Sequence, residues 1–352
     1  MTHEHYLLEA LKLAEMRKGF CAPNPSVGAV LVKDNEIIGK GYHEACGLPH
    51  AEVEAIKNVK NPKDATLYVT LEPCCHFGRT PPCTELIIQS GIQAVYYGFS
   101  DPNPIVSNQG DKLLKEAGID CKKLSIPEIE SFYKSYAYWH RTKRPFVTAK
   151  IALSLDGKIA GANRKPITIT GNSAKSFTHH HRLHSDAILT TADTINLDDP
   201  QLNVRLNQEI LAKPIYIIDT NLKTLPTSQI FKTAGSVTIF HSNQLKTTTS
   251  LREDTRYLPI ALNDGFLDLS SILDQIGQDD CHDLWVEAGG LLFKSLINAH
   301  FLQRAYVIIG PKFLGTEAYS SAFNKPFDLA NDAKLLKWEN LGDDGLMTID
   351  YM

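Results

Sequence analysis

The sequence has no run of eighteen apolar residues, which excludes an obvious membrane-spanning helix. Its first residues, MTHEHYLLEALKLAEM, lack a basic region followed by an apolar core and a small-residue cleavage site, so a cytoplasmic protein is expected. A basic surplus is also missing. Lys and Arg total 36 against 40 Asp and Glu, a net charge of −4 that argues against a polyanion-binding protein and leaves small phosphorylated molecules as the anions to consider. Low-complexity tracts and internal repeats are absent. Cysteine is sparse and odd in number: three of the seven fall between Cys74 and Cys83, and Cys21, Cys46, Cys121 and Cys281 are scattered. A disulfide framework does not have that distribution, whereas a local metal site in a reducing compartment does.

What is present is enough for two domains. The 352 residues, at roughly 150 per domain, are 43% hydrophobic and 22% charged, an ordinary globular composition. Residues 3–18 carry Leu7, Leu11 and Ala14 at helical spacing. The strings at 27–32 and 36–42 flank a Lys-Asp-Asn turn and predict a hairpin. From His50 onward helix and strand patterns alternate, predicting a layered sheet flanked by helices. A helix over 127–143 meets Pro145, which cannot continue it, so the boundary is placed between 1–144 and 145–352. The second part restarts with strand patterns at 145–154, 186–191, 214–219, 236–240, 283–287 and 305–310, with helices between, as a separate α/β unit.

The chemistry concentrates at His50-Ala51-Glu52, Pro73-Cys74 and Cys83. Zinc takes nitrogen and thiolate ligands tetrahedrally, and a catalytic site leaves one of four positions to water, whose pKa falls toward about 7. His50, Cys74 and Cys83 supply three ligands; Glu52, two residues beyond the histidine at the opening of one helix, can reach that water and carry protons without being a ligand. Zinc deaminases pair His-x-Glu with Pro-Cys-x-x-Cys, whereas here the cysteines stand nine residues apart, a longer loop that implies a different substrate. Cys75 could substitute for Cys74, although the Pro-Cys order favours Cys74. A structural zinc clip or buried thiols would be the plain alternative, but a structural site takes four protein ligands and needs no adjacent carboxylate.

With PNPSVG (23–28), HAEVEA (50–55), TLEPC (70–74), RTPPC (79–83) and DPNP (101–104), the sequence resembles the bifunctional riboflavin-biosynthesis deaminase/reductases. The resemblance runs essentially end to end, continuing through LSLDGKIA (153–160), DAILTTADTINLDDPQLNVR (186–205), IIDT (217–220), VEAGG (286–290) and IIGPKFLG (308–315). It implies an α/β protein, with an N-terminal cytidine-deaminase-like three-layer domain and a C-terminal dihydrofolate-reductase-like domain. The first would be a zinc-dependent hydrolase acting on a diaminopyrimidinone that carries a ribosylamino 5'-phosphate. The second would reduce the ribosyl group to ribityl with NADPH.

Carried over position by position, the resemblance makes His50, Cys74 and Cys83 the zinc ligands and Glu52 the general acid/base, and it places Asn24, His43, Arg79, Asp101 and Asn103 around the substrate. In the second domain it assigns Ala152, Thr168, Thr194, Asp198, Thr220, Gly289, Gly290, Leu291, Leu292, Phe293, Lys294 and Ser295 to NADPH, and Pro166, Arg182, Leu202, Arg205 and Glu287 to substrate. No GxGxxG is present, but a strand, two glycines and a helix start can hold a pyrophosphate. Arginine forks suit phosphate, so Arg182 and Arg205 are expected as clamps. Where the family has Ser-x-Trp-Ile-Thr-Ser, this chain has Pro166-Ile167-Thr168-Ile169-Thr170-Gly171, losing a hydroxyl at Pro166 and an aromatic face at Thr168; Lys150 and Asp156 remain.

The alternatives are a deaminase with a degenerate reductase domain, a nucleoside or transfer-RNA deaminase with an appended domain, and a zinc-stabilised binding protein. The run His179-His180-His181 with His184 lacks an accompanying carboxylate and is read as structural, and the aromatic helix end with Tyr133, Tyr136, Tyr138 and Trp139 as packing between domains. The expected partners are a phosphorylated pyrimidine and a second copy of the chain in a homo-oligomer, with no nucleic acid and no membrane.

Overall fold

A computed structural model describes residues 1–75, 81–103, 109–245, 253–320 and 328–352. It divides into two compact units, Met1–Lys143 and Arg144–Met352. No described helix is long and apolar enough to cross a membrane.

Unit 1 runs α1 (His3–Glu15), β1 (Gly28–Lys33), β2 (Glu36–Tyr42), α2 (Ala51–Ile56), β3 (Thr66–Leu71), α3 (Cys83–Gln89), β4 (Ala94–Phe99), α4 (Gln109–Glu116), β5 (Asp120–Lys123), α5 (Pro127–Phe132) and α6 (Lys134–Thr142). The strands form one sheet in the order β2-β1-β3-β4-β5; β1 is antiparallel to β2 and β3, and β3, β4 and β5 are parallel. Alternation along the strands sends Ala29, Leu31, Leu67 and Val69 to one face, where they pack with Ala51, Ala55, Ile87 and Leu114 from α2, α3 and α4. Val30, Val32 and Tyr68 face the other way, against Leu7 and Leu11 of α1 and Ile129, Tyr133 and Tyr136. The result is the expected three-layer unit.

The helix anticipated over 127–143 is instead two helices, with Tyr133 between them at φ −89° and ψ 4°. The buried hydroxyl of Tyr133 donates to the Ser26 carbonyl at 2.9 Å and lies 2.6 Å from Thr70 Oγ1. Seating that phenol outweighs an unbroken helix. Tyr133 and Tyr136 thus pack within unit 1, correcting the inter-domain role expected of them.

Unit 2 runs β6 (Phe146–Ser154), β7 (Lys158–Ala162), α7 (Asn172–His184), β8 (Ala187–Thr191), α8 (Ala192–Asp198), β9 (Val204–Leu206), β10 (Glu209–Leu211), β11 (Pro214–Ile218) and α9 (Ile230–Thr233). It continues β12 (Ser236–Ser242), β13 (Arg256–Ile260), β14 (Leu262–Asn263), β15 (Phe266–Leu267), α10 (Leu269–Gln278), β16 (Asp283–Glu287), α11 (Gly290–Asn298), β17 (Arg304–Gly310), β18 (Ala318–Ser320), β19 (Leu335–Leu341) and β20 (Asp344–Asp350). Nine strands form a sheet ordered β13-β12-β11-β8-β16-β6-β17-β20-β19, parallel from β13 to β17 and closed by an antiparallel hairpin. Ile188, Ile215, Ile217 and Trp285 point to one face, packing with Ala174 and Ile195 of α7 and α8. Leu189, Leu284, Val286 and Val307 point to the other, packing with Ile272, Ile276, Leu292 and Phe293 of α10 and α11. The nearly continuous apolar runs of the inner strands follow from burial on both faces.

Candidate active site

In unit 1 the three proposed ligands come from three separate segments. His50 is the N-cap of α2, Cys74 follows β3, and Cys83 opens α3 behind Pro82. Two glycines make the approach possible. A side chain at Gly41 would meet the Ala51 carbonyl at 2.2 Å, so the start of α2 lies directly on β2; one at Gly110 would meet the Pro73 carbonyl at 2.1 Å, so α4 abuts the residue before Cys74. His50 Nδ1 stands 3.3 Å from Cys83 Sγ and 3.5 Å from Cys74 Sγ, and the three ligand atoms all lie within 4.8 Å of one another. Zinc bonds of about 2.0–2.1 Å to nitrogen and 2.3 Å to sulfur put tetrahedral corners roughly 3.6 Å apart, so this donor set fits the ion. Cys74, and not Cys75, joins the group.

The backbone N–H of Cys83 donates to Cys74 Sγ at 3.4 Å. Hydrogen bonding from Cys83, reinforced by His50, draws the Cys74 thiol down to about 4, while the contact with Cys74 and burial push the Cys83 thiol up. Glu52, on the first turn of α2, is 4% exposed, and burial pushes its carboxyl above the usual range. A buried carboxyl that binds a proton readily suits proton transfer.

A cavity of about 320 Å³ opens onto His50, Glu52 and Cys74 and is lined also by Asn24, His43, Asp101 and Asn103. His43 Nδ1 donates to the Pro49 carbonyl at 3.0 Å, and burial lowers its pKa, so the ring is neutral. Its Nε2 is then an acceptor and takes a hydrogen bond from Asn24 Nδ2 at 3.1 Å. Asp101 Oδ1 accepts from the backbone of Asn103 at 2.9 Å and from Tyr136 at 3.3 Å, and burial raises its carboxyl to about 6. Arg79 lies outside the described residues.

Sequence reasoning missed Glu72, Tyr136 and Cys46, which also line the cavity. Glu72, 3% exposed, accepts from the backbone N–H groups of Asp101 at 3.4 Å and Asp111 at 3.3 Å, tying the rim and the start of α4 to the Cys74 segment. Its place in the Thr-Leu-Glu-Pro-Cys string was the available signal.

In unit 2 the expected residues gather at the carboxyl ends of the parallel strands, where open α/β sheets bind ligands. Ala152 is near the end of β6, Thr194 is in the first turn of α8 after β8, Thr220 follows β11, and Gly289 caps α11 after β16 with no side-chain cap. Thr191 Oγ1 and Thr194 Oγ1 lie 3.0 Å apart. Asp198 ends α8, and burial raises its carboxyl, with Lys150 offsetting part of that rise. Leu292 and Phe293 are spent on the core beneath α11, and Leu291 is exposed. Pro166 and Thr168 are exposed in the segment before α7, whose Thr168 carbonyl accepts from Lys312 Nζ at 2.6 Å.

Arg182 is committed differently from the phosphate clamp expected. At 8% exposure, it donates through Nε and Nη2 to both oxygens of Glu287, at 2.6 and 3.0 Å, and through Nη1 to the Asn203 carbonyl at 2.8 Å. Trp285 Nε1 donates to Glu287 Oε1 at 2.8 Å, and Lys150 Nζ stands 3.5 Å from Oε2. Against burial, Arg182 and Lys150 hold the Glu287 carboxyl far below the usual carboxylate range. Arg205 is exposed, with Nη1 2.7 Å from both Gln201 Oε1 and Asn203 Oδ1, and its backbone N–H donates to His179 Nδ1 at 3.1 Å. Leu202 is buried at φ 46°, a left-handed conformation costly for leucine. His181 stacks on Trp285, His180 donates to the Ser176 carbonyl, and no second metal-ligand group forms among the described residues.

Together the two units define a zinc-binding deaminase joined to a dihydrofolate-reductase-like reductase. Residues 1–99 match the cytidine and deoxycytidylate deaminase zinc-binding region, and residues 145–347 match the RibD C-terminal domain. The chain is 37% identical over 355 residues to the riboflavin biosynthesis protein RibD of Escherichia coli (strain K12), spanning 97% of this chain and 96% of that one. Solved structures of RibD from Acinetobacter baumannii and of a diaminohydroxyphosphoribosylaminopyrimidine deaminase/5-amino-6-(5-phosphoribosylamino)uracil reductase from Thermotoga maritima each align with a TM-score of 0.86 at 30% identity, covering 99% of this chain and 98% of theirs. The chain therefore belongs to the RibD family, the bifunctional deaminase/reductases of riboflavin biosynthesis.

Two outcomes follow from this geometry. Purified wild-type protein should carry about one zinc per chain, and Cys83→Ser should lose nearly all of it by elemental mass spectrometry with its circular dichroism intact. Because Glu287 titrates lower folded than unfolded, its ionisation stabilises unit 2 above the unfolded value of about 4.3, and that contribution declines as pH falls toward the folded value. Denaturant titrations from pH 7 to pH 3 should therefore show wild type losing stability more steeply than Glu287→Gln, with the variant weaker at pH 7 by about 3 kcal/mol.

Proposed function

We propose that unit 1 hydrolytically deaminates a diaminopyrimidinone bearing a ribosylamino 5'-phosphate, and that unit 2 reduces the ribosyl group of the product to ribityl with NADPH. The observation that carries the reading is the convergence of His50 Nδ1, Cys74 Sγ and Cys83 Sγ within 4.8 Å at a cavity that also exposes the buried Glu52. His50, Cys74 and Cys83 would hold zinc, which when bound supplies water that ionises near neutral pH. As the water oxygen bonds to the ring carbon that bears the exocyclic amine, Glu52 takes the proton lost from water and returns it to the exocyclic nitrogen, and the bond between that carbon and that nitrogen breaks with ammonia as the leaving group. His43, fixed as the neutral tautomer by Pro49, turns the Asn24 amide so that one of its two N–H groups is spent internally, leaving the carbonyl oxygen and the second N–H for substrate. Asp101 and Asn103 complete the rim, with Tyr136 holding the Asp101 carboxyl.

In unit 2, Thr194, Asp198, Thr220 and the start of α11 would hold NADPH. Glycines at positions 289 and 290 fit a pyrophosphate because a Cβ at Gly289 meets nothing within 4 Å, leaving backbone approach open at a helix N-terminus. The cofactor would supply hydride to the anomeric carbon. Arg182, Lys150 and Trp285 keep Glu287 ionised and fixed, so Glu287 acts by accepting hydrogen bonds from ribosyl hydroxyls rather than by moving protons. Arg205, exposed beside this cluster, is the remaining cationic partner for the 5'-phosphate.

Glu52→Gln should keep its zinc and slow ammonia release by about a hundredfold or more; a variant releasing ammonia at the wild-type rate would remove the acid/base role. Incubated with the deaminated ribosylamino substrate, wild-type protein should consume NADPH, followed by loss of absorbance at the reduced nicotinamide band. No loss in folded protein would mean that Pro166 and Thr168 mark a degenerate reductase.

A further inference from the structure

Arg205 sits on a weakly supported element. Among the described residues β9 and β10 form a two-stranded sheet of their own, with Arg205 opposite Ile210, and neither strand joins the nine-stranded sheet. A hairpin of three residue pairs is too small to hold its place unaided. On the edge of β9 that β10 leaves open, α7 stands in for a strand. Arg182 Nη1 donates to the Asn203 carbonyl at 2.8 Å, and His179 Nδ1 accepts the backbone N–H of Arg205 at 3.1 Å. A carbonyl and an N–H two residues apart point to the same side of a strand, so these two side chains, three residues apart on α7, satisfy the pair that a neighbouring strand would take.

Of the adjacent histidines, His180 bonds back to its own helix and His181 stacks on Trp285, whereas His179 reaches another element. Burial, with Arg182 and Arg205 close by, lowers the His179 ring to about 4, so the ring is neutral and its Nδ1 lone pair is kept for the Arg205 N–H. The remaining contacts of Arg205 aim its side chain. Nη1 donates to Gln201 Oε1 and Asn203 Oδ1, both at 2.7 Å, and among the described residues Nε and Nη2 make no hydrogen bond, which leaves a two-pronged face that matches two phosphate oxygens. Arg182 also grips both oxygens of Glu287, so α7 ties the carboxylate that would meet the ribosyl hydroxyls to the strand whose arginine would meet the 5'-phosphate. We propose, resting on that reading of Arg205, that His179 is a positioning residue that sets the preference of unit 2 for a 5'-phosphorylated substrate by holding Arg205 at a fixed reach from Glu287.

The test is steady-state NADPH oxidation by the full chain with the deaminated ribosylamino pyrimidine, offered with and without its 5'-phosphate. Wild type should favour the phosphorylated form, and Arg205→Gln should lose most of that preference. His179→Ala and His179→Leu remove the acceptor at a half-buried helix position where both new residues support the helix, so both should fold, as circular dichroism would confirm. Each should cut the preference by about tenfold through KM for the phosphorylated form, with kcat and the KM for NADPH within about twofold of wild type. His179→Asn, which carries an acceptor at the place of Nδ1, should recover most of the preference. Equal loss toward both forms, an undiminished preference in the alanine and leucine variants, or an asparagine variant no better than they are would overturn the proposal and leave the reading of Arg205 standing. A wild type that reduces neither form or both equally well, or an Arg205→Gln variant with the wild-type preference, would overturn that reading and the proposal together.

Discussion

Three electron-rich atoms held within 4.8 Å of one another are the constraint on which unit 1 is built. Thiolates and an imidazole do not collect unaided, and the fold answers with directional groups. The N-terminus of α3 donates its first N–H to Cys74, and His50 Nδ1 sits against both sulfurs, so groups of the fold itself hold the donor set together. The supporting contacts reach backward into the sheet. Gly41 lets α2 seat on β2, Gly110 lets α4 seat on Pro73, and Glu72 binds the Asp101 rim to the segment that carries Cys74. Each of these fixes a segment end, which is where all three ligands lie.

The two units bury a glutamate at corresponding points of their chemistry and treat it in opposite ways. Among the described residues Glu52 has no arginine or lysine partner, and desolvation lifts its carboxyl above the usual range. Glu287 is as deeply enclosed, yet a forked arginine, a lysine and an indole N–H keep it ionised. A carboxylate so held cannot exchange protons near neutral pH and is useful only for orientation. On the function proposed above, proton transfer would belong to Glu52 in the hydrolytic half, while Glu287 would place substrate for hydride transfer without carrying a proton.

Much of this was legible in the sequence because the deaminase chemistry is local. His50 and Glu52 share a helix start, Cys74 follows a strand end, and the alternating and helical patterns on either side predict the layers that carry them. Features set by distant partners were not legible. The break at Tyr133 depends on Ser26 and Thr70, more than sixty residues away in sequence. Arg182 looks like a free phosphate ligand until Glu287, 105 residues later, is brought to it. The closing strands β19 and β20 were not anticipated, since one has no buried face and the other is recognisable as a core strand only once β17 is beside it.

The segment 166–171, where this chain departs from its family's pattern, is positioned by contacts that do not depend on the replaced side chains. Lys312 reaches the carbonyl of Thr168, the backbone N–H of Gly171 donates to Asp344 at 2.8 Å, and Ile169 is buried with its carbonyl against Gly310, where a Cβ would come within 2.3 Å. Pro166 and Thr168 are themselves exposed. Against the serine and tryptophan that the resemblance leads one to expect there, Pro166 and Thr168 change the hydroxyl and the aromatic face offered at the surface, while the backbone course is held from beneath. The departure is therefore one of chemistry presented, with the loop still delivered to the carboxyl edge of the sheet. If the segment meets substrate and cofactor as proposed above, any loss it causes would fall on their affinity before it falls on the fold.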